Sequence, residues 1–410
     1  MIKGACLVGQ SGGPTAVINS SLCGVVLTAL KNPNITNVFG ALNGVDGILS
    51  ENIIDFKNED IYELELLKNT PGAILGSNRV HLPELDSETD IYERILNVFK
   101  KYDIRFFFYI GGNDSMDTCH KINEYCRKVN YDCNVIGVPK TIDNDLCCTD
   151  HTPGYGSACK YIATTLQEIY YDITSYKKGR VTIVEIMGRD AGWLVASSKL
   201  ATLAGVNIDL IYLPESNFDL EDFLLRVKNI YGQKQFVLVC VGEGIKDKNR
   251  DYIQNYQNFN NNDTFGHVQL GGVSSFLCSV VEQRYKLPVR AIELNLPQRA
   301  AAHLASLTDI NEAYKCGETA VNLATNNITG KMVCINVVDG QTEYNCCNLN
   351  EVAGLVKEVP NNFISECGTN ITYKYIEYAK NLIMGEPNIK FENGIPRFTK
   401  LNKEVIKKVN

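Results

Sequence analysis

Two short runs hold most of the side chains able to do chemistry: Gly111-Gly112-Asn113-Asp114-Ser115 and Pro139-Lys140-Thr141-Ile142-Asp143-Asn144-Asp145. Each follows a strand-like apolar stretch, residues 106–110 and 134–138. A loop leaving a strand in an α/β protein lies at the carboxyl edge of the sheet, where phosphates bind. The two runs supply a glycine turn, carboxylates for metal or base work, and one lysine, an inventory that fits phosphoryl transfer. Asp143 is the expected base for the proton of an attacking hydroxyl. Asp143 and Asp145 alternate, so one is expected to face substrate and the other a cation or the scaffold. An Asp-Asn-Asp turn would account for the aspartates, but not for Lys140 and Thr141 beside them.

Further loops carry compatible groups. Ser11-Gly12-Gly13-Pro14-Thr15 lies between a first strand and a first helix, either as a tight turn or as an anion site at a helix N-terminus. Asp114 either caps the helix that follows it or faces a ligand. Met187-Gly188-Arg189-Asp190 ends another strand and opens a helix through Trp193. Its arginine fork suits phosphate or sugar oxygens. Gly242-Glu243-Gly244 places a carboxylate between glycines at a strand end, suited to sugar hydroxyls. Arg290 starts a strand and Gln298-Arg299 follows it. Arg180 flanks its strand at the end opposite Arg189, so within one subunit the two arginines are expected far apart.

The elements that must position these loops alternate between strand and helix. Strands are expected over residues 5–8, 106–110, 135–138, 181–186, 210–213, 236–241 and 289–294. Helices are expected over 14–30, 115–125, 157–171, 220–231 and 273–285. This pattern predicts an α/β fold with mostly parallel sheets covered by helices. The asparagine-rich stretch 255–263 reads as a surface loop, and the basic tail 400–408 as a solvated terminal helix.

At 410 residues the chain is long enough for two domains. A net charge of −7 argues against general nucleic-acid binding. No apolar run approaches the roughly 20 residues that span a bilayer. The apolar stretch at 5–8 is soon broken by Gly9-Gln10-Ser11-Gly12-Gly13, so no secretion signal is expected and the chain reads as cytoplasmic. The 15 cysteines scatter without a Cys-x-x-Cys pair, and the adjacent pairs Cys147-Cys148 and Cys346-Cys347 have no clustered histidines. Buried free thiols are the expectation, with zinc or disulfides as the alternative.

Taken in order, Gly12-Gly13, Leu75-Gly76-Ser77-Asn78-Arg79, Gly111-Gly112-Asn113-Asp114, Thr141-Ile142-Asp143-Asn144-Asp145, Met187-Gly188-Arg189, Glu243 and Gln298-Arg299 resemble the phosphofructokinase family over roughly residues 2–330. Within the family the chain looks most like the pyrophosphate-dependent branch. The resemblance implies two Rossmann-like three-layer domains with the active site in the cleft between them. Residues 1–155 would form a phosphoryl-donor domain joined by roughly 300–348. Residues 156–299 would form a sugar-phosphate domain, with 349–410 as a C-terminal extension.

The resemblance also implies roles. Asp143 matches the proton acceptor that activates the 1-hydroxyl of fructose 6-phosphate. Thr141, Met187, Gly188, Arg189 and Glu243 match sugar-phosphate contacts. Arg290 and Arg299 match arginines around the 6-phosphate, and Arg180 matches one from a neighbouring subunit, implying a homo-oligomer. Gly13, Arg79, Gly112 and Lys140 match the donor side, and Mg²⁺ is the implied cofactor. ATP-using members carry glycine where this chain has Asp114 and Lys140. A carboxylate at Asp114 would crowd and repel the α-phosphate of a nucleotide, which pyrophosphate lacks.

Two departures stand out. Asn113 replaces a magnesium-associated aspartate, leaving a carbonyl oxygen or a metal-bound water as its means of contact and shifting metal duty toward Asp143 or Asp145. Leu296 replaces a histidine near the 6-phosphate. The run Gly266-His267-Val268-Gln269-Leu270-Gly271-Gly272 is expected to be a loop before the helix from Val273. The alternatives to a pyrophosphate-dependent enzyme are an ATP-dependent 6-phosphofructokinase and a non-catalytic regulatory subunit.

Overall fold

Side-chain alternation along the first strand divides the protein into layers. In β1 (Gly4–Gln10), Ala5 and Leu7 pack into one buried cluster while Cys6 and Val8 pack into another on the opposite face. The same division runs through β4 (Ile104–Gly111), where Phe107 and Tyr109 face one way and Phe106, Phe108 and Ile110 the other. Both faces are buried, so the strands read as continuous apolar runs rather than alternating ones.

The computed structural model describes residues 2–85, 90–257 and 272–406. Its first sheet also contains β2 (Ile35–Ala41), β3 (Ile53–Asp55) and β5 (Asn134–Pro139). The second holds β6 (Val181–Ile186), β7 (Leu210–Tyr212), β8 (Val237–Gly242) and β9 (Val289–Glu293). The chain then returns to the first sheet through β10 (Lys331–Val338) and β11 (Gln341–Asn348).

The seven-stranded sheet has the order β11-β10-β5-β4-β1-β2-β3, parallel except for its two edge strands. The four-stranded sheet, β7-β8-β6-β9, is wholly parallel. The α/β class with two mostly parallel sheets is therefore as expected. Among the described residues, no helix is long and apolar enough to cross a membrane.

Three local expectations need correction. The first helix runs Ile18–Lys31 rather than from residue 14, because the Thr15 hydroxyl accepts the Ile18 N–H at 2.9 Å and leaves Pro14 in the loop. Met187-Gly188-Arg189-Asp190 is not helical; the helix there is the single turn Trp193–Ala196. Gly188 has φ +130°, and the Gly192 N–H is held by Glu215 Oε1 at 2.8 Å.

The tail from 400 to 406 is extended rather than helical. Its backbone N–H groups are taken by side chains: Asn402 and Lys403 donate to Glu59, each at 2.8 Å, and Lys400 donates to Glu63 at 2.6 Å. Ile406 N–H then bonds the Ile53 carbonyl at the sheet edge. Residues 407–408 of that tail, 258–263 of the asparagine-rich stretch and 266–271 of the glycine run lie outside the described residues. The helix Val273–Tyr285 has its expected bounds. All fifteen cysteines are unpaired and most are buried, as expected.

Candidate active site

The carboxyl ends of β1, β4 and β5 from one sheet, and of β6 and β8 from the other, open onto one cavity of about 710 Å³. Its floor is the turn after β1. Gly12 has φ +75°, and a Cβ there would stand 3.1 Å from Lys140 Nζ; a Cβ on Gly13 would stand 3.1 Å from Arg299 Nη1. The glycine pair is what lets two cationic side chains close over this backbone. Lys140 is buried and donates to the Gly13 carbonyl at 2.8 Å. Burial brings its pKa down to about 8, with Asp143 opposing that fall and Arg79 adding to it.

Asp114 lies in the first turn of the helix Asn113–Lys128, whose N-cap position is Gly112. The cap position has no side-chain hydrogen bond, so Asp114 is not the cap; it lines the cavity. Asn113 lines it too, but both ends of its carboxamide are engaged. Its Oδ1 accepts the Gly354 N–H at 2.7 Å, and its Nδ2 donates to the Leu355 carbonyl. Gly354 and Val356 thereby form part of the cavity wall.

The segment they belong to is pinned further on. Lys357 N–H donates to the Asp145 carbonyl at 2.8 Å, and Lys357 Nζ to the carbonyls of Thr149 and Asp150. No motif in the sequence marked this strap, because its role rests on backbone groups rather than on side-chain type.

The loop after β5 turns sharply at Asn144, which has φ +54°. Asparagine tolerates that conformation, and here its side chain is fully used: Nδ2 donates to Tyr378 Oη at 2.9 Å, and Oδ1 accepts the Thr152 N–H at 3.1 Å. The turn brings Asp143 and Asp145 into the same cavity, so neither is turned away into the scaffold. Asp143 is held by Thr141, whose hydroxyl donates to Asp143 Oδ2 at 3.3 Å and accepts the Asp143 N–H at 3.1 Å. Burial raises the Asp143 pKa, against the pull of Lys140. Burial, with Asp143 adding repulsion, lifts Asp145 to about 7.

From the second sheet come Met187, Arg189, Asp190 and Glu243. Gly188 stands behind them, donating its N–H to Glu243 Oε1 at 3.2 Å. Burial raises Glu243 to about 7. Gln298 is buried and accepts the Met187 N–H at 3.1 Å, which fixes the turn that presents Arg189. Arg299 and Arg79 complete the cationic lining.

Of the expected sugar-phosphate contacts, Gly188 and Arg290 do not line the cavity, and Arg180 lies away from it, as expected within one subunit. Arg290 pairs in register with Thr182 near the amino end of β6 and forms an ion pair with Asp172 at 3.0 Å. Arg180 immediately precedes β6 at that same end. The parallel strands carry both arginines to the edge opposite the cavity. Residues that line the cavity without having been singled out include Thr15, His81, Asp190, Gly354 and Val356. Asp190 stood in a quoted run, and its pairing with Arg189 at 2.9 Å was the missing reason to choose it.

Two mostly parallel sheets whose carboxyl-end loops line one cavity define the class. Residues 5–324 match the family model for phosphofructokinase, and the chain belongs to that family. It is 38% identical to the pyrophosphate–fructose 6-phosphate 1-phosphotransferase of Halomonas elongata, covering 97% of this chain and 96% of that one. The Methylococcus capsulatus protein of the same name is 36% identical, covering 96% and 94%. The crystal structure of a pyrophosphate-dependent phosphofructokinase from Nitrosospira multiformis superimposes with a TM-score of 0.90 at 34% identity, over 99% of this chain and 98% of that one.

Proposed function

We propose that this chain moves a phosphoryl group from pyrophosphate to the 1-hydroxyl of fructose 6-phosphate, giving fructose 1,6-bisphosphate and phosphate. The reaction is reversible, because pyrophosphate and the sugar bisphosphate have similar transfer potential. The observation that carries the donor assignment is Asp114 and Lys140 lining one cavity. The carboxylate works against a third phosphate, while the buried lysine offers charge to the departing one.

Asp143 takes the proton as the sugar hydroxyl attacks, and its raised pKa brings it nearer to working pH, where a base is most effective. Arg189, Glu243, Met187, Gly188 and Thr141 are assigned to the sugar phosphate, and Arg299 to its 6-phosphate. Gly13, Arg79 and Gly112 are assigned to pyrophosphate. The donor would lie on 1–155 and the sugar phosphate on 156–299.

The family generally uses Mg²⁺, and the donor set here suits it: two carboxylates, Asp143 and Asp145, share one cavity and repel each other. Bound there, the cation would neutralise phosphate charge. Asp145 and Asp143 are its proposed ligands. The Asn113 oxygen, which already accepts the Gly354 N–H, is left a secondary part.

Arg180 and Arg290 share the sheet edge remote from the cavity, which supports a homo-oligomer in which Arg180 serves a neighbouring site. Unpaired thiols and phosphorylated substrates suit a cytoplasmic setting. Purified protein with fructose 6-phosphate and Mg²⁺, given pyrophosphate or ATP as sole donor, tests the reading. Turnover with pyrophosphate is expected; turnover with ATP alone would overturn the donor assignment. A silent regulatory subunit would turn over neither.

A further inference from the structure

Outside the cavity, the fold assembles a second set of ligand atoms from three separate segments. Cys148 lies in the loop between β5 and the helix Tyr155–Thr174, Cys347 lies in β11, and Glu351 sits in the turn that follows β11. The two thiol sulfurs and a Glu351 carboxylate oxygen all lie within 4.8 Å of one another. Cys148 and Glu351 are exposed and Cys347 is half-buried, so the set is open to solvent on one side.

Two local features position these groups, the second being the capping box that Asn348 and Glu351 form around the turn Leu349–Glu351. Cys148 has φ +63°, a left-handed conformation that non-glycine residues adopt uncommonly and that the surrounding structure must impose. Glu351 is held in place before any cation arrives: Asn348 donates to it through its backbone N–H at 3.2 Å and through Nδ2 at 2.8 Å. Outer hydrogen bonds of this kind orient a metal-binding carboxylate. Behind the set, the register of β10 and β11 puts Cys334 diagonally across from Cys347.

We propose that Cys148, Cys347 and Glu351 form a binding site for a borderline-soft divalent cation of the Zn²⁺ class, separate from the Mg²⁺ of the reaction. Two sulfurs and one carboxylate make a three-ligand set with a fourth position open to water, which tetrahedral zinc accepts and oxygen-seeking Mg²⁺ does not. Each thiol releases its proton to solvent as its sulfur–zinc bond forms, and no oxidant is involved. Cys148 follows Asp145 by three residues, and Glu351 precedes Gly354 by three. The cation would therefore fasten the loop after β5 to the strap that walls the cavity.

The test is zinc binding by the reduced, chelator-treated full chain, in competition with a chromophoric chelator. One equivalent is expected to bind at least tenfold tighter than any other, to be lost in Cys148→Ser and in Cys347→Ser, and to weaken in Glu351→Gln. Cd²⁺ in the same site is expected to give a thiolate charge-transfer band that Cys148→Ala abolishes; its exposed position lets that variant fold. Tight zinc that survives both serine variants would place the metal on other cysteines and overturn the site. So would a wild-type chain that binds no more zinc than the variants, or Mg²⁺ competing for that equivalent. None of these readouts depends on turnover, so they stand apart from the donor assignment.

Discussion

Asn113 and Gly354 are 241 residues apart in the chain, yet the Asn113 Oδ1 accepts the Gly354 N–H at 2.7 Å while its Nδ2 donates to the next carbonyl. The asparagine thus ties the helix that carries Asp114 to the strap that walls the cavity. Removing both bonds in Asn113→Ala is expected to raise KM for pyrophosphate about fivefold or more, since each such bond contributes about 1 kcal/mol. Asn113→Asp keeps the acceptor but sets a carboxylate against the Leu355 carbonyl, so it is not expected to rescue. Steady-state kinetics with hydrogen exchange over residues 349–357 checks both points; an unchanged exchange pattern in the alanine variant would remove Asn113 from this role.

Asp143→Ala is expected to lower kcat by about 10²-fold or more, the scale of a lost general base. The structure adds a companion: the one Thr141 hydroxyl donates to the Asp143 carboxylate and accepts the Asp143 N–H. Thr141→Val is expected to lower kcat less, by roughly tenfold, with little change in thermal stability. A near-normal rate in Asp143→Ala would assign the proton to another group.

Asp114→Gly combined with Lys140→Gly removes the carboxylate proposed to work against a longer donor and the lysine proposed to favour pyrophosphate. Pyrophosphate use is expected to weaken and nucleotide binding to become measurable by calorimetry. If ATP binding stays undetectable, the wall formed by Gly354 and Val356 becomes the remaining barrier to test.

Burial lowers Lys140 to about 8, so the free enzyme loses this charge as pH rises through that value. The kcat/KM for pyrophosphate is therefore expected to fall above about pH 8, approaching tenfold per unit. Lys140→Arg keeps its charge to much higher pH and is expected to lose that descending limb, whatever its absolute rate. A wild-type profile that is flat to pH 9.5 would contradict the assignment.

His151 is buried between two carboxylates, with Nδ1 at 2.8 Å from Asp150 and Nε2 at 2.8 Å from Glu312. Burial alone would lower its pKa, but the hydrogen bonds the protonated ring donates to both carboxylates outweigh burial and raise it to about 9 from an ordinary 6.5. A raised pKa means the folded chain holds a proton that the unfolded chain releases above about 6.5. The stabilisation is complete below that pH and is lost as pH climbs through about 9. It amounts to about 3 kcal/mol. Thermal melts from pH 6 to 9.5 are expected to show this decline in wild type and a flatter course in Glu312→Gln.

Much of the site was legible in the sequence because its loops leave strands whose apolar runs are unmistakable. Phe106 to Ile110 can only be a buried strand, so Asp114 and its neighbours had to lie at a sheet edge. Lys140 and the two aspartates followed by the same logic. The direction of the aspartates did not, since the left-handed turn at Asn144 is imposed by Tyr378 and Thr152, which lie outside that short run.

The sequence by itself determined the parallel α/β layering and the order of the loops that line the cavity. Both depend on residue type and on spacing over a few residues. Only the tertiary structure decided that Asn113 spends its amide on Gly354, that Arg290 pairs with Asp172, and that Cys148 meets Cys347. Those relations join segments up to 241 residues apart through backbone groups and strand register. They exist only once the layers have packed, so no local pattern of residue types could encode them.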